Sequence, residues 1–415
     1  MKIVVFTLGC KVNRSESDSL IRALTEDGHE VTDELVPADL YIVNTCAVTG
    51  EAEKKSRQMS SRIQALNPEA KIIFTGCAAE NNPESFMKKS NTMLVTGTFK
   101  KGDIPKMLRE EGIKKAGQDK EFEELMTVDS LRARTYVKIQ DGCNNFCSYC
   151  LIPYLRGRSR SRNPENIIKE IEATKPTECV INGINISDYD YNGVNLADLI
   201  YMLKDLDVRF RLGSIEVNVI DDKLLSACAA LKNFAPHFHL SLQSGSDAVL
   251  KKMNRHYTTE EYYEKVCLIR KYFPFAGITT DIIAGFPTET DENAAETAEF
   301  VTKVEFSDIH PFPFSMRKGT ACDKLKMPDL PGEIKKKRAD ELIKLKSICK
   351  ENFENKNIGR ILTVLTETFE DGYAVGYSEN YIRIYIKDGG NIKENEFYKI
   401  KAVSRFKDGM LAELV

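Results

Sequence analysis

The sequence contains no long hydrophobic run: its 415 residues include no stretch of about 18 apolar residues. Its first ten residues, MKIVVFTLGC, also lack the basic segment and apolar core that mark a secretory signal. The net charge is small, because 59 Lys and Arg residues face 62 Asp and Glu residues, which leaves −3. These absences predict a soluble, cytoplasmic protein with no membrane contact. Any nucleic acid has to be bound by local basic patches, since the chain has no overall positive field.

Fixed-period repeats and low-complexity tracts are absent as well, whereas apolar residues make up 42% of the chain. This composition excludes wholesale disorder, and the length predicts two to four domains at roughly 100–200 residues each.

Strand-like and helix-like segments alternate in residues 1–129, which we interpret as a first domain. The predicted strands are KIVVFTLG, DLYIVNT and KIIFTG, and the predicted helices are SESDSLIRALTEDG, AEKKSRQMSSRIQALNP and DIPKMLREEG. This alternation predicts an α/β fold with a doubly wound parallel sheet. Residues 114–129 are polar with weak periodicity and are predicted to be a linker.

A second alternating series fills residues 130–355. Its predicted strands are TYVKIQD, ECVING, FRLGSIEV, HFHLSLQS, GITTDIIAGF and FSDIHPFPF, separated by helical segments and followed by a basic helix from about residue 332. Six such units predict a partial or full TIM-like (βα)6 barrel, with the chemistry at the carboxyl ends of the strands. Residues 356–415 alternate apolar residues with turn signals, which predicts a small antiparallel β-barrel of OB-like type.

Cysteine is the most informative residue type. In a cytosolic protein, clustered cysteines are read first as metal ligands or redox groups. Cys10, Cys46 and Cys77 each follow a predicted strand of the first domain. Because the carboxyl ends of parallel strands meet at one sheet edge, these three thiols can converge on a single metal centre.

Three further cysteines, Cys143, Cys147 and Cys150, occupy one loop with the spacing C-x3-C-x2-C. Three thiolates in a tight loop suit iron–sulfur coordination. Zinc is the competing interpretation, but a closed zinc site needs a fourth ligand. Only Cys179, within a predicted strand, lies nearby, and no histidine occurs between Cys150 and His237. A metal site with an open fourth coordination position is therefore the better interpretation.

The loop DGCNNFCSYC resembles the signature of the radical S-adenosylmethionine (SAM) superfamily, with Tyr149 as its aromatic residue. The resemblance implies a 4Fe–4S cluster whose free iron binds SAM and cleaves it reductively to a 5′-deoxyadenosyl radical.

Three segments resemble the N-terminal domain of the radical-SAM methylthiotransferases: TLGCKVNRSESD, NTCAVTGEAEKKSRQ and TGCAAE. This resemblance implies a second 4Fe–4S cluster on Cys10, Cys46 and Cys77, and it implies that the terminal barrel is an RNA-contacting TRAM domain. CAVTGEAEKKSRQ and KIQDGCNNFCSYCLIPYLRGRSRSR resemble the branch that methylthiolates threonylcarbamoyladenosine at tRNA position 37. In that family, one SAM molecule donates the methyl group and a second is the radical source.

Two further sets of candidate residues follow from position and resemblance. The SAM pocket is expected to include residues at the barrel strand ends: Tyr149, Gly183, Glu216, Gln243, Ser244 and Asp281. Glu216 has an alternative role as an ion-pair partner of Arg209 or Arg211. RNA phosphates are expected to meet an alternating run that would share one side of an extended segment: Arg156, Arg158, Arg160 and Arg162.

The expected partners are the tRNA anticodon loop, an electron donor of flavodoxin or ferredoxin type and a sulfur donor, and we expect a monomer. Three alternatives stay open at this point. The acceptor could be isopentenyladenosine in tRNA, it could be a ribosomal protein, or the chain could be a non-catalytic metal-containing RNA-binding protein.

Overall fold

The computed structural model describes residues 1–118, 121–125, 133–387 and 390–415. Its first unit is a six-stranded, wholly parallel sheet in the order β2-β1-β3-β4-β5-β6. The strands are β1 (Lys2–Thr7), β2 (Glu30–Thr32), β3 (Leu40–Thr45), β4 (Lys71–Gly76), β5 (Thr92–Val95) and β6 (Gly112–Ile113). The helices are α1 (Lys11–Glu26), α2 (Gly50–Leu66), α3 (Cys77–Asn81) and α4 (Pro83–Met87). The predicted doubly wound α/β class is confirmed.

The second unit is an open arc whose main strands are parallel, while three of its two-residue strands form antiparallel pairs. Its strands are β7 (Arg134–Asp141), β8 (Arg160–Ser161), β9 (Glu178–Gly183), β10 (Asp190–Tyr191), β11 (Val194–Asn195), β12 (Arg209–Leu212), β13 (Ser214–Ile215), β14 (His237–Leu240), β15 (Gly277–Ala284) and β16 (Asp308–Pro313). The third predicted strand is split at Gly213, so that β12 pairs with β9 and β13 pairs with β14. The split strand thereby joins two four-stranded sheets into a partial (βα)6 barrel.

Helices cover the outside of this arc, except the first of them, whose Leu155 packs in the core of the first unit. They are α5 (Ile152–Arg156), α6 (Pro164–Thr174), α7 (Leu196–Met202), α8 (Asp222–Ala230), α9 (Asp247–Lys252), α10 (Thr259–Tyr272), α11 (Asp291–Val304), α12 (Ala321–Lys324) and α13 (Gly332–Asn357). Several begin at the polar residue that the sequence offers as a cap. Thr258 and Glu261, for example, form a reciprocal capping box at the start of α10.

The two faces of the arc differ in polarity. Side chains that point outward, such as Ile139, Ile181 and Phe238, form one apolar core with the helices. Side chains that alternate with them, such as Lys138 and His239, point inward. The interior of the barrel is therefore polar, which suits a binding site better than a packed core.

The last unit is a closed five-stranded barrel in the order β17-β18-β19-β21-β20. Its strands are β17 (Ile361–Glu370), β18 (Tyr373–Ser378), β19 (Arg383–Lys387), β20 (Phe397–Phe406) and β21 (Gly409–Leu414). The predicted small barrel is confirmed, with one difference in topology. Four of its strand pairs are antiparallel, whereas β19 and β21 are parallel.

Some sequence-based boundaries differ from the structure. The helix predicted near residue 103 is a 3-10 helix, Lys101–Met107, which has Pro105 inside it.

The linker is described only at residues 114–118 and 121–125, and the predicted domain boundary at 129/130 lies outside the described residues. Glu123 accepts a hydrogen bond from the Gly102 amide at 2.8 Å, and Glu124 contacts Arg162 at 2.7 Å, so this part of the segment is attached to both flanking units. No helix in the described ranges is long and apolar enough to cross a membrane.

One buried carboxylate connects the partial barrel to the terminal barrel. Glu178 is fully buried and contacts the side chains of Arg134, Arg209 and Arg211. Two of these arginines also donate hydrogen bonds to carbonyl groups of the terminal barrel. Arg209 donates to Thr363 at 3.2 Å, and Arg211 donates to Glu379 at 3.1 Å.

The arginines also decide the protonation state of this carboxyl group. Burial alone would raise the pKa of Glu178, but Arg211, Arg209 and Arg134 outweigh it and lower the pKa to about 2. Because the unfolded value is about 4.3, the carboxylate contributes stability above that pH and loses it as the pH falls toward 2.

We expect Glu178→Gln to lower the free energy of unfolding by about 3–5 kcal/mol, because three buried guanidinium groups lose their shared partner. The loss of stability between about pH 4.3 and 2 should be smaller in this variant. Urea denaturation at several pH values measures both effects. Glu370→Gln is the matched control, since Glu370 pairs with Arg383 in a more exposed position and should cost less than about 1 kcal/mol. Equal effects of the two substitutions would contradict this role.

Candidate active site at two facing groups of cysteines

Cys10, Cys46 and Cys77 lie at one edge of the first sheet. Thr45 pairs with Gly76 in the β3–β4 register, so the two cysteines that follow these residues are neighbours. Cys10 is the N-cap residue of α1. Gly9 has φ of +100°, and a Cβ atom there would lie 2.6 Å from Cys46 Sγ, so glycine is required for this close approach. The three cysteines thus lie near enough to influence one another's charge, and their role as ligands of one cluster stays a prediction.

Cys143, Cys147 and Cys150 occupy the loop after β7 and interact electrostatically with one another. Each of their sulfur atoms lies near a nitrogen donor. Asn185 Nδ2 is 3.9 Å from Cys143, Arg255 Nη1 is 3.3 Å from Cys147, and the Ile152 amide is 3.4 Å from Cys150. N–H groups directed at sulfur stabilise metal-bound thiolates and tune the potential of iron–sulfur clusters.

Burial keeps several of these thiols protonated in the absence of metal. It raises the pKa of Cys46 and Cys150 to about 12 and that of Cys143 to about 11, and it also raises the pKa of Cys77. Metal binding would therefore release protons, because thiolates are the ligands.

The spacing of the thiols bears on the zinc alternative. Across the part of the chain that the structure describes, no three His, Cys, Asp or Glu side chains converge closely enough to ligate one metal ion. A closed zinc site needs four donors around a single ion, whereas a cubane cluster bonds each thiolate to a different iron. Three cysteines in a group lack the fourth donor of a closed zinc site, whereas three thiolates with one free iron suit a cubane cluster.

Arg156 connects the two groups of cysteines. Its Nε donates a hydrogen bond to Cys77 Sγ at 3.3 Å, and its Nη1 lies 3.1 Å from Asp141, two residues before Cys143. The guanidinium also contacts Glu16 of α1 at 2.8 Å. One fully buried side chain thus contacts a cysteine of the first unit and the strand that leads into the cluster loop of the second.

Two lysines complete this buried network. Lys138 contacts Glu16 at 2.8 Å and Asp141 at 2.7 Å, and Lys101 also contacts Glu16. Arg160 also pairs with Asp141 at 3.5 Å, so four cations share two carboxylates, and the positive excess lies near Cys77. Such an excess suits an anionic group on the cysteines, such as a cluster held by three thiolates. Sequence reasoning missed Glu16, Lys101, Lys138 and Asp141 as site residues, since their partners lie far away in the chain.

The predicted RNA-binding arginine run is wrong in three of its four members. Arg156 is buried, and its guanidinium is paired within the ion network described above. Arg162 is 1% exposed and paired with Glu124 and Glu170. Arg160 is buried against the carbonyl groups of Arg156 and Arg158. The segment is not extended, because a helical turn ends at Arg156 and a loop follows, so the alternation does not place these side chains on one side. Only Arg158 is exposed, above the ring of Phe146 at 4.3 Å.

Among the SAM-pocket candidates, Glu216 lies beside the cluster loop. It pairs with Arg255 at 2.7 Å and accepts a hydrogen bond from Asn145 at 2.7 Å, so the predicted alternative partners Arg209 and Arg211 are wrong. Arg255 also contacts Cys147, which makes it a site residue that the sequence gave no signal for.

The other four candidates lie in different surroundings. Asp281 points into the barrel and lies 3.4 Å from His239, and Gln243 adopts φ of +71° beside it. Tyr149 packs on the apolar cluster around Phe286. Gly183 ends β9 against Gln140.

Ser244 is the one candidate that the structure contradicts. Its side chain is 1% exposed, and its hydroxyl contacts Thr297 of α11 at 3.3 Å, outside the barrel. It supports the backbone there and does not face the pocket.

The fold and the cysteine loop define a radical-SAM protein. Residues 137–301 match the Radical SAM superfamily, and residues 2–97 match the uncharacterized protein family UPF0004. The fold resembles the radical SAM methyltransferase TsrM from Kitasatospora setae, with a TM-score of 0.56 and 14% identity over 78% of this chain and 77% of that one.

Sequence relatives define the family more narrowly. The chain is 37% identical, over 91% of its length and 98% of the relative's, to the threonylcarbamoyladenosine tRNA methylthiotransferase MtaB of Aquifex aeolicus. It is 35% identical to that of Bacillus subtilis, over 93% and 91%. A tRNA-2-methylthio-N(6)-dimethylallyladenosine synthase of Desulfitobacterium hafniense is 34% identical, over 88% and 86%. The chain belongs to the methylthiotransferase family of radical-SAM enzymes. The 4Fe–4S clusters and SAM of this family are its cofactors.

We expect the reconstituted protein to contain about eight irons, as two cubane clusters of four. Replacing Cys10, Cys46 and Cys77 together by Ala should remove about half of this iron, and so should the same change at Cys143, Cys147 and Cys150. Iron analysis with Mössbauer spectroscopy measures the outcome. Cys267→Ala, at an exposed cysteine, is the control and should retain all the iron. Full iron in either triple variant would contradict the ligand assignment.

Proposed function

We propose that this chain transfers a methylthio group to carbon 2 of N6-threonylcarbamoyladenosine at position 37 of tRNA. It uses two SAM molecules, one as methyl donor and one as the source of the 5′-deoxyadenosyl radical. The similarity to relatives named for threonylcarbamoyladenosine supports this substrate, because four of them share 34–37% identity with the chain. Four named for dimethylallyladenosine share 30–34%.

The observation that carries the proposal is the junction at Arg156. A methylthio transfer needs a sulfur site and a radical site next to the same carbon atom. Arg156 holds Cys77 of one group and Asp141, at the base of the other group, within hydrogen-bonding distance of the same guanidinium. Two separate chemistries can then act on one base between the two units.

Each group of cysteines has its own role in this proposal. Cys143, Cys147 and Cys150 hold the cluster that binds SAM, and Cys10, Cys46 and Cys77 hold the cluster that carries the sulfur. When bound, the two clusters would supply an electron for SAM cleavage and a site for the methylated sulfur. An unactivated C–H bond on adenine requires such radical chemistry, because no side chain can deprotonate it at neutral pH.

The polypeptide positions the reactants and shields them from water. Arg255 orients Glu216 beside the cluster loop, where the carboxylate can accept a hydrogen bond from a hydroxyl group of SAM. Asp281, Gln243, Gly183 and Tyr149 remain proposed contributors to the same pocket. The Glu53–Arg317 ion pair and the hydrogen bond from Gly50 to Ser315 attach the first unit to the segment that follows β16. These contacts help to exclude solvent from the space between the units.

The partners follow from the chemistry. The terminal barrel would contact the anticodon loop, a flavodoxin or ferredoxin would supply electrons, and a separate donor would replace the transferred sulfur. We propose that the protein acts as a monomer.

We expect the reconstituted enzyme, with SAM and dithionite, to form 2-methylthio-N6-threonylcarbamoyladenosine in tRNA. Each product should be accompanied by one 5′-deoxyadenosine and one S-adenosylhomocysteine. Mass spectrometry of the nucleosides measures the products. Cys46→Ala and Cys147→Ala should fold, as shown by their circular dichroism, yet form no methylthio product. A methylthio group on isopentenyladenosine, with none on threonylcarbamoyladenosine, would overturn the substrate assignment. Modification of a ribosomal protein with unmodified tRNA would overturn the acceptor class.

Arg158 is the one member of the arginine run that can meet a phosphate. We expect Arg158→Ala to weaken tRNA binding several-fold and to reduce the slope of log K against log salt by up to about one. Titrations of the anticodon stem-loop at several salt concentrations measure this slope. Lys71→Ala, at an exposed lysine that begins β4 of the first sheet, is the control and should leave it unchanged. An unchanged slope in Arg158→Ala would remove Arg158 from the interface.

A further inference from the structure

The amino end of the partial barrel is closed by a loop of the terminal barrel. Tyr381 stacks on His237 with ring centroids 4.4 Å apart, and Asn380 donates a hydrogen bond to the Phe275 carbonyl at 3.2 Å. A Cβ atom on Gly277 would lie 2.2 Å from the Asn380 carbonyl oxygen, so this loop can dock only against glycine. We name this closed end the barrel floor and define it by Arg134, Glu178, Arg209, Arg211, His237 and Tyr381.

The barrel floor carries an excess of positive charge. Its three arginines share Glu178, and Arg134 additionally contacts Glu367 of the terminal barrel. The guanidinium groups of Arg134 and Arg211 also lie over the ring of Tyr381, at 5.2 and 4.8 Å from its centroid. These three cations pair with two carboxylates, and a third carboxyl group, Glu379, acts on Arg209 although burial raises its pKa.

Two buried nitrogen atoms inside the barrel, besides those of the floor arginines, lack hydrogen-bond partners. His237 is 5% exposed, and its Nδ1 has no hydrogen-bond partner, whereas its Nε2 contacts Thr279 Oγ1 at 3.0 Å. Asn182 is 3% exposed, and its Nδ2 has no partner either. Both residues belong to inward-facing rows of the strands β14 and β9. Buried polar atoms without partners are costly, so they indicate that polar atoms of a ligand complete this site.

Lys11 reaches this interior from the first unit. It is the first residue of α1, next to Cys10, and α1 packs against β7 and β9. Burial by the surrounding residues lowers the pKa of Lys11, and the charges of Tyr381, Arg134, Arg211 and Glu178 act on it. Its own charge in turn helps to lower the pKa of Asp281 inside the barrel. The residue remains accessible to solvent. Within the described part of the chain, Lys11 has neither a hydrogen-bond nor an ion-pair partner.

The position of Lys11 in its helix is unfavourable without an anion nearby. The amino end of a helix is already positive, and α1 has no acidic residue in its first turn and no side-chain cap. A cation at this position raises the positive potential further. A cluster on Cys10, the N-cap residue, would supply one such anion, and Lys11 together with the floor arginines can attract a second.

We propose that Lys11 binds the free carboxylate of the threonylcarbamoyl substituent and selects the anionic, hypermodified base over neutral ones. This inference rests on the proposed function, since it names the specificity determinant of that substrate. The carboxylate forms an ion pair with the Lys11 ammonium above the floor, while carbon 2 of the adenine faces the cysteine groups. The unpartnered nitrogen atoms of His237 and Asn182 are available to the carbamoyl and hydroxyl oxygens of the same substituent.

The competing source of the anion is the RNA backbone, since a phosphate has the same charge chemistry. A backbone phosphate is present in every RNA, whereas the carboxylate is present only in the hypermodified one. Binding to matched anticodon stem-loops, with and without the substituent, therefore separates the two sources.

The test uses the cluster-loaded enzyme without SAM, so that no turnover occurs. Fluorescence anisotropy gives the Kd for stem-loops that carry threonylcarbamoyladenosine, its methyl ester or unmodified adenosine at position 37. We expect Lys11→Met to weaken binding of the carboxylate form roughly ten- to hundredfold and to leave the other two unchanged. Lys11→Arg should restore most of the affinity, and Lys71→Met is the matched control. Iron content is measured for each variant, because Cys10 is the neighbouring residue.

The methyl ester tests the same contact from the side of the ligand and does not depend on any variant folding. The native enzyme should bind the ester as weakly as Lys11→Met binds the carboxylate, and Lys11→Met should not distinguish the two RNAs.

Equal weakening for all three RNAs would assign Lys11 to a phosphate and overturn the inference. So would an unchanged preference for the carboxylate in Lys11→Met. If the native enzyme forms the methylthio product on threonylcarbamoyladenosine in either case, the proposed function stands without this inference. If the native enzyme prefers isopentenyladenosine, the proposed function itself fails.

Discussion

The buried ion network around Arg156 is the constraint on which the rest of the site depends. Arg156, Lys101 and Lys138 meet Glu16 and Asp141 almost without solvent, and the members come from both units that carry the cysteines. Removing charges from water is costly, and the cost is offset only when every partner is in place. The network therefore specifies one relative position of the two units. The Arg156 hydrogen bond to Cys77 extends this specification to the metal-binding groups themselves.

The partial barrel supports this site through a separation of polar and apolar faces. Its outward rows form the main core with the surrounding helices, so stability does not depend on filling the interior. The interior rows are free to carry charge, as Glu178 and its arginines do at one end and as Arg255 and Glu216 do near the cluster loop. The terminal barrel supplies the carbonyl groups and the aromatic ring that close the floor. Residues of the partial barrel and of the terminal barrel thus meet at the floor.

The local elements could be predicted from the sequence with little error, because they depend on periodicity, caps and turns. The strand ECVING and the helix PENIIKEIEAT occupy the residues that the pattern indicates. The cysteine groups could also be found, since thiols at strand ends and in a C-x3-C-x2-C loop need no knowledge of distant contacts. The alternating arginines could not be assigned correctly. Their alternation suggested one exposed side, but a helical turn and both near and distant carboxylate and carbonyl partners bury all except Arg158.

The sequence by itself determined the strands and helices, the six cysteines that matter and the family resemblance, since each of these is encoded within a short segment. Only the tertiary structure decided which charges are paired and which are available. Glu16 meets Arg156 across 140 positions of the chain, and Arg211 meets Glu379 across 168. Such pairs form only when separate units dock, and no local pattern specifies them. For the same reason, no local pattern indicates that Lys11, next to Cys10, has no hydrogen-bond or ion-pair partner among the residues that the structure describes.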